Sequence, residues 1–328
     1  MVGYQKNDIN AHTKLIAGCA SGVLTRFCTQ PLDIIKLRTQ LQKTNPKKAY
    51  KSQWLPTTMR ILKEEGVFGF WAGHNLGQLH SILSVSSQFY AFELATSYVM
   101  RTFHPSATYQ PYVLFMCGIF AGCCSTTLVL PIEVIRVRQM IVKEQYHGIL
   151  NGARMVYRSG GVFAFYEGLS ASLMQMGPAV GISFGTFSYL QPLLLHFFHE
   201  RYLANCENCG DHSDFNKYRP EHILMASTMA GSAAGFLSKT ATYPFDLAKR
   251  RLQIASHQQN TKYKIPTTAR KLFKCRNLNQ CIYKTVKQEG ILGLYRGWGI
   301  TVIKAQLTSV MAFTTYEIMC FLLREMDL

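Results

Sequence analysis

Three stretches of the chain, 66–92, 102–132 and 168–199, contain no Asp, Glu, Lys or Arg. Each is long enough to cross a bilayer as a helix, for which roughly twenty apolar residues suffice. All three are also rich in Gly, Ser, Thr and Gln, which dilutes their hydropathy. They read as helices packed against one another rather than as plain lipid anchors. Polar, basic segments with helical periodicity recur near 53–63, 148–158 and 279–288. The pattern predicts an all-α membrane protein in which each third of the chain holds two long helices joined by a loop with a short amphipathic helix. Six long helices place both termini on one side.

Glycine and proline spacing repeats with the same division. Gly18-x-x-x-Gly22, Gly118-x-x-x-Gly122 and Gly231-x-x-x-Gly235 are each followed nine residues later by Pro31, Pro131 and Pro244. One charge frame follows each proline: Asp33, Lys36 and Arg38; Glu133, Arg136 and Arg138; Asp246, Lys249 and Arg251. A second signal comes later, as Glu65-Gly66 then Trp71-Ala72-Gly73, Gly160-Gly161 then Tyr166-Glu167-Gly168, and Glu289-Gly290 then Tyr295-Arg296-Gly297. Three repeats are therefore expected over 12–103, 110–200 and 220–325. The paired glycines, with Gly177 and Gly181, serve close helix packing, because no hydrophobic effect drives helices together inside lipid.

Composition narrows the class. The chain has 328 residues, of which 48% are hydrophobic, and carries a net charge of +17 although only 16% of it is charged, against roughly 25% in soluble domains. A disordered basic tail is excluded. The loops 36–64, 136–158 and 249–287 hold eight, five and eleven Lys or Arg, so 24 of the chain's 35 lie on one side of the predicted helices. That bias orients a membrane protein, whereas a nucleic-acid binder would gather its cations into a continuous patch. No nucleophile–base pair or phosphate-cradling loop is found, so neither an enzyme nor a catalytic residue is expected, and no cofactor. Cys206, Cys209 and His212 lack a second ligand pair, so no metal is expected. Cys19, Cys28, Cys117, Cys123, Cys124 and Cys320 lie in apolar segments as buried thiols do, which points to a reducing or thiol-neutral setting. Polar Met1–Asn10, and Ile16–Leu24 interrupted by Gly18, Ser21 and Gly22, do not read as a secretory signal.

Three cations interrupt the long helices. Arg26 and Lys239 each stand five residues before a frame proline, and Lys304 stands seven residues after Gly297. His80 and Gln175 stand at the equivalent distance from Gly73 and Gly168. Cations at membrane depth are costly and mark function. Three without adjacent acids ask for an anion with several charges, which a di- or triphosphate supplies better than a monocarboxylate.

The frame of proline, acid, base and base, followed by Gly and then aromatic-x-Gly, resembles the mitochondrial carrier family over nearly the whole chain. The resemblance implies six transmembrane helices in three pseudo-threefold repeats with short matrix helices. It places a monomeric, multi-pass protein in the inner mitochondrial membrane, with basic loops in the matrix and both termini in the intermembrane space. Positions i and i+3 share a helix face, so the frames can close a matrix gate of Asp33–Arg136, Glu133–Lys249 and Asp246–Lys36. The family adds Gln40 and Gln253 as gate braces, whereas Met140 fills the third place. It also implies a cytoplasmic gate, present here as Phe92-Glu93-x-x-Thr96, Phe187-Ser188-x-x-Gln191 and Tyr316-Glu317-x-x-Cys320. Only Glu93 and Glu317 are charged there and no base survives, so the resting protein is expected to open outward. Gly73, Gly168 and Gly297 correspond to cardiolipin sites, although Glu167 stands where a base is usual. Met1-Val2-Gly3-Tyr4, Gln78, Gln88-Phe89 and the run from Ser238 through Tyr243-Pro244 to Gln253 resemble those family members that carry thiamine pyrophosphate. In that reading Arg26, Lys239 and Lys304 hold the diphosphate, Gln78, His80, Gln175 and Met176 meet the organic rings, and a phosphorylated solute is exchanged. A nucleotide or coenzyme A carrier of the same fold is the alternative.

Overall fold

A computed structural model describes residues 11–41, 54–103, 106, 109–142, 146, 148–205, 220–254, 275 and 277–325. The Cys206, Cys209 and His212 loop and the 255–274 insert lie outside the described residues. Among the described residues all regular structure is helical. The long helices are α1 (Ala11–Leu41), α3 (His74–Phe103), α4 (Gln110–Ile141), α6 (Leu169–Asn205), α7 (Pro220–Leu252) and α9 (Trp298–Glu325). The short ones are α2 (Trp54–Glu65), α5 (Ile149–Gly160) and α8 (Leu278–Glu289), within about two residues of their expected places.

Each short helix is followed by a 3-10 turn that periodicity did not reveal: Val67–Trp71, Val162–Tyr166 and Ile291–Tyr295. Five residues are too few to show a period. Two glycines frame each turn; at the first junction Gly66 and Gly73 hold φ +69° and +72°, where a Cβ would clash with the backbone. Gly73 is also in tight quarters, because a side chain there would meet the Met140 Cγ at 3.2 Å and the Arg136 carbonyl at 3.4 Å. Pro31, Pro131 and Pro244 lie inside α1, α4 and α7, where each removes one backbone donor from the ladder.

Two compact units divide the described residues differently from the sequence repeats. The first takes the described residues through Ser87, Thr127–Leu169 and those from Leu247 onward. Within it α1 lies along α9, with the hydroxyls of Thr25 and Thr315 at 3.2 Å. Its apolar core, around Ile34, Ile61, Leu130, Val134 and Val156, sits beside a polar one: Gln30, Gln40, Arg138, Arg251, Gln253 and Glu289 are all buried. The second unit comprises Gln88–Thr126 and Ser170–Asp246. Its contacts are small and close: Ser238 Oγ donates to the Ala179 carbonyl at 2.6 Å, Phe115 meets Phe184 edge-on at 5.8 Å, and the Met176 sulfur rests over Gly122.

Many large apolar side chains on the long helices are exposed, among them Phe89, Leu128, Leu193, Val310 and Phe321. Surfaces of that kind are covered by lipid or by another protein. Among the described residues one segment, Tyr112–Ile141, is long and apolar enough by itself to cross a membrane. The other long helices carry the Gly, Ser, Thr and charged residues that their contacts use. Cys275 and Cys281 form a disulfide. The reading of a reducing or thiol-neutral setting did not foresee that pair, and of the six cysteines read as buried Cys19 and Cys28 are exposed.

Candidate functional site

The first unit gathers Asp33, Glu133, Arg136 and Lys249 of the frames into an ion-pair network. Arg136 Nη2 donates to Asp33 Oδ2 at 3.3 Å and to Gln30 Oε1 at 3.4 Å. Glu133 meets Lys249 at 2.9 Å through one oxygen and Arg250 at 2.8 Å through the other. Arg250 also reaches Gln253 Oε1 at 3.0 Å. The expected pairings therefore miss two partners, Gln30 and Arg250, which fall outside the repeating frame. Lys304, placed by sequence among cations without acids, forms an ion pair with Asp33. That expectation is corrected: 271 residues separate the two in sequence, but α1 and α9 lie side by side. Asp246 belongs to the second unit and Lys36 to the first.

Below this network lies a layer that the sequence spelled out without assigning. The last base of each frame is buried: Arg38, Arg138 and Arg251. Arg38 grips Glu65 with two bonds of 2.6 and 2.8 Å and donates to the Met140 carbonyl at 3.0 Å. Arg138 pairs with Glu167 at 2.8 Å and donates to the Gln253 carbonyl at 3.2 Å. Arg251 pairs with Glu289 at 2.6 Å and donates to the Gln40 carbonyl at 3.2 Å. Each guanidinium thus ties its own short-helix segment to the next repeat, and the chain of links closes on itself. The carbonyls used belong to the three brace positions, so Met140 contributes its backbone where it lacks an amide side chain. Arg296 approaches Glu289 at 3.5 Å; burial pulls its guanidinium down to about 10 although the carboxylate opposes this.

A cavity of about 140 Å³ in the first unit is lined by five cations, Arg26, Lys36, Arg136, Arg250 and Lys304, and by two carboxylates, Asp33 and Glu133. Arg26 Nη1 donates to the Gly77 carbonyl at 2.8 Å. Gly77 is a site residue that sequence did not single out: a Cβ there would lie 3.0 Å from the Arg136 guanidinium carbon. Gln78 donates to the Val23 carbonyl at 3.3 Å, and His80 holds a buried Nδ1 with no hydrogen-bond partner among the described residues. Gln175 and Met176 are half-buried and Lys239 is exposed, all in the second unit. There Glu93 borders a largely apolar cavity of about 1190 Å³ with Tyr90, Tyr98, Met116 and Phe120. Glu317 lies in α9, but its side chain is outside the described residues. Gly73, Gly168 and Gly297 open α3, α6 and α9, each at positive φ. A side chain at Gly168 would meet the Lys249 carbonyl at 3.1 Å, so this glycine and Gly73 also allow close packing against a frame helix. Among the described residues no cluster of metal ligands occurs.

The family model described as mitochondrial carrier protein matches residues 7–103, 107–198 and 221–327. The mitochondrial thiamine pyrophosphate carrier of Homo sapiens is 32% identical, over 98% of this chain and 96% of that protein. The protein of the same name from Bos taurus is also 32% identical over the same shares. Mitochondrial thiamine pyrophosphate carrier 1 of Saccharomyces cerevisiae is 27% identical over 94% of this chain and 93% of its own length. With the family pattern matched three times along nearly its entire length, the chain belongs to the mitochondrial carrier family of transporters.

Proposed function

We propose that the protein is an inner-membrane exchanger that imports thiamine pyrophosphate into the matrix, against a nucleotide or thiamine monophosphate, by alternating access. The carrying observation is the small cavity whose walls hold five cations against two carboxylates. An anion with several charges offsets that excess, and a diphosphate can engage Arg26 and Lys304 together. Within the first unit Arg26 and Lys304 hold the diphosphate, while Gln78 and His80 meet the organic rings. The buried, unpartnered Nδ1 of His80 supports a contact rather than packing alone.

Transport couples to binding through Lys304. Its ammonium is shared between Asp33 and an arriving phosphate, so the solute loosens the Asp33–Arg136–Lys304 cluster. Only differential binding of this sort can shift a conformational equilibrium. Within the first unit the matrix gate comprises Asp33–Arg136 and Glu133–Lys249, with Gln40 and Gln253 as braces. Its formed pairs support an outward-open state, consistent with a cytoplasmic gate left with Glu93 and Glu317 and no base. Six spans in three pseudo-threefold repeats carry the basic loops on the matrix side and both termini in the intermembrane space. Cardiolipin phosphates bind at the amide ends opened by Gly73, Gly168 and Gly297. The Glu167 charge is held by Arg138, so it does not oppose an anion at the second of these sites. The chain works as a monomer.

Uptake of labelled thiamine pyrophosphate into liposomes containing the purified protein, preloaded with nucleotides, thiamine monophosphate or coenzyme A, tests the assignment. Saturable uptake that requires an internal solute is expected. Absence of uptake with every internal solute overturns it, and exchange of nucleotide or coenzyme A alone would move the protein to a different branch of the family.

A further inference from the structure

Arg38, Arg138 and Arg251 occupy one position in three repeats, seven residues after Pro31, Pro131 and Pro244. Two of them meet a glutamate that ends the short helix of their own repeat, Glu65 at the end of α2 and Glu289 at the end of α8. The remaining short helix, α5, ends on Gly160, which brings no carboxylate. Arg138 is nevertheless as deeply buried as Arg251, its side chain being 0% exposed. A guanidinium at that depth needs a counter-ion or must draw in water.

It finds one seven residues farther on. Glu167 Oε2 accepts from Arg138 Nη2 at 2.8 Å, and Ser159 Oγ accepts from Nη1 at 2.6 Å. The places equivalent to Glu167 are held by Ala72 and Arg296. In the third repeat the order of charges is the reverse: the acid ends the helix at Glu289 and the base sits at the junction, 3.5 Å away. We infer that Glu167 is a relocated counter-ion, a positioning residue that stands in for the glutamate missing at 160. Through it Arg138 stays inside and keeps its bond to the Gln253 carbonyl, the link from the second repeat to the third. The inference concerns the moving parts of the carrier and holds whatever solute it carries.

The test moves the carboxylate back. Gly160 is exposed and helical without a left-handed φ, so its backbone conformation suits a residue with a Cβ. The full-length protein is purified as the parent, Glu167→Ala, Glu167→Arg, Gly160→Glu/Glu167→Ala and Gly160→Glu/Glu167→Arg, and the thermal midpoint and liposome exchange of each are measured. Glu167→Ala should lower the midpoint by several degrees and lose most exchange, with Glu167→Arg worse. Both double variants should recover, the second because it reproduces the charge order of the third repeat. The thermal midpoint reads the clamp independently of the solute, so a wrong substrate assignment leaves the result intact. Parent-like stability and exchange in Glu167→Ala would overturn the inference. So would a Gly160→Glu/Glu167→Ala variant no better than Glu167→Ala, since the position rather than the relocated charge would then matter.

Discussion

Lys304 carries one positive charge and gives it to Asp33, whose other oxygen faces Arg136. Arg26, in the same cavity wall, anchors one nitrogen on the Gly77 carbonyl and keeps the rest of its planar fork for other acceptors. In the proposed site Lys304 would sense the solute through an ion pair it must loosen, and Arg26 would bind it from a fixed base. Lys304→Ala and Arg26→Ala should each abolish exchange while the protein still inserts in membranes and resists alkaline extraction. Liposome uptake measured alongside extraction separates the two effects, and full transport by both variants would refute the proposed diphosphate site.

The short helices are amphipathic, and their buried residues are few: Thr57 and Ile61 in α2, and Cys281, Thr285 and Glu289 in α8. Their positions are secured by the buried arginines, and the three clamps differ in depth. Arg251 and Glu289 are 0% and 1% exposed at the side chain, whereas Glu65 opposite Arg38 keeps 23%. Arg251 also reaches Thr285 at 2.8 Å. Removing one partner of a buried pair strands the other charge, at a cost of about 3–5 kcal/mol. Water can reach Glu65 and screens it. Arg251→Ala leaves Glu289 facing Arg296 at 3.5 Å and should therefore destabilise the protein by about 3 kcal/mol, the lower end of that range, and Arg38→Ala by clearly less. Thermal midpoints of the two purified variants check the order, and an equal or reversed order would contradict a burial-controlled clamp.

At the scale of the molecule, the proposed outward resting state rests on an asymmetry between the two proposed gates. Asp33, Glu133, Arg136, Lys249, Arg250 and Lys304 supply mutual partners in the network of the proposed matrix gate. The equivalent base places of the cytoplasmic motif hold Thr96, Gln191 and Cys320, which cannot form ion pairs with Glu93 and Glu317. A single cysteine introduced beside the proposed substrate residues, with the native thiols replaced, should react faster with an impermeant reagent added from the intermembrane-space side. Faster labelling from the matrix side would sink the outward bias. Much of this plan could be read before any coordinates. Helix periods, the glycine pairs and the three proline frames are local patterns, each set by backbone geometry within a few residues, and they announced the long helices, the short ones and the family. The 3-10 turns escaped because five residues hold no period. The pairings escaped for a different reason: an ion pair forms where helices distant in sequence place two groups within reach. Asp33 alone takes partners 103 and 271 residues away. By itself the sequence determined the repeat, the charges available and the class of transporter. Only the tertiary structure decided that Lys304 answers to Asp33, that Arg250 shares Glu133, and that Glu167 serves Arg138, because each depends on which side chains, distant in sequence, the fold brings within three ångströms or so of one another.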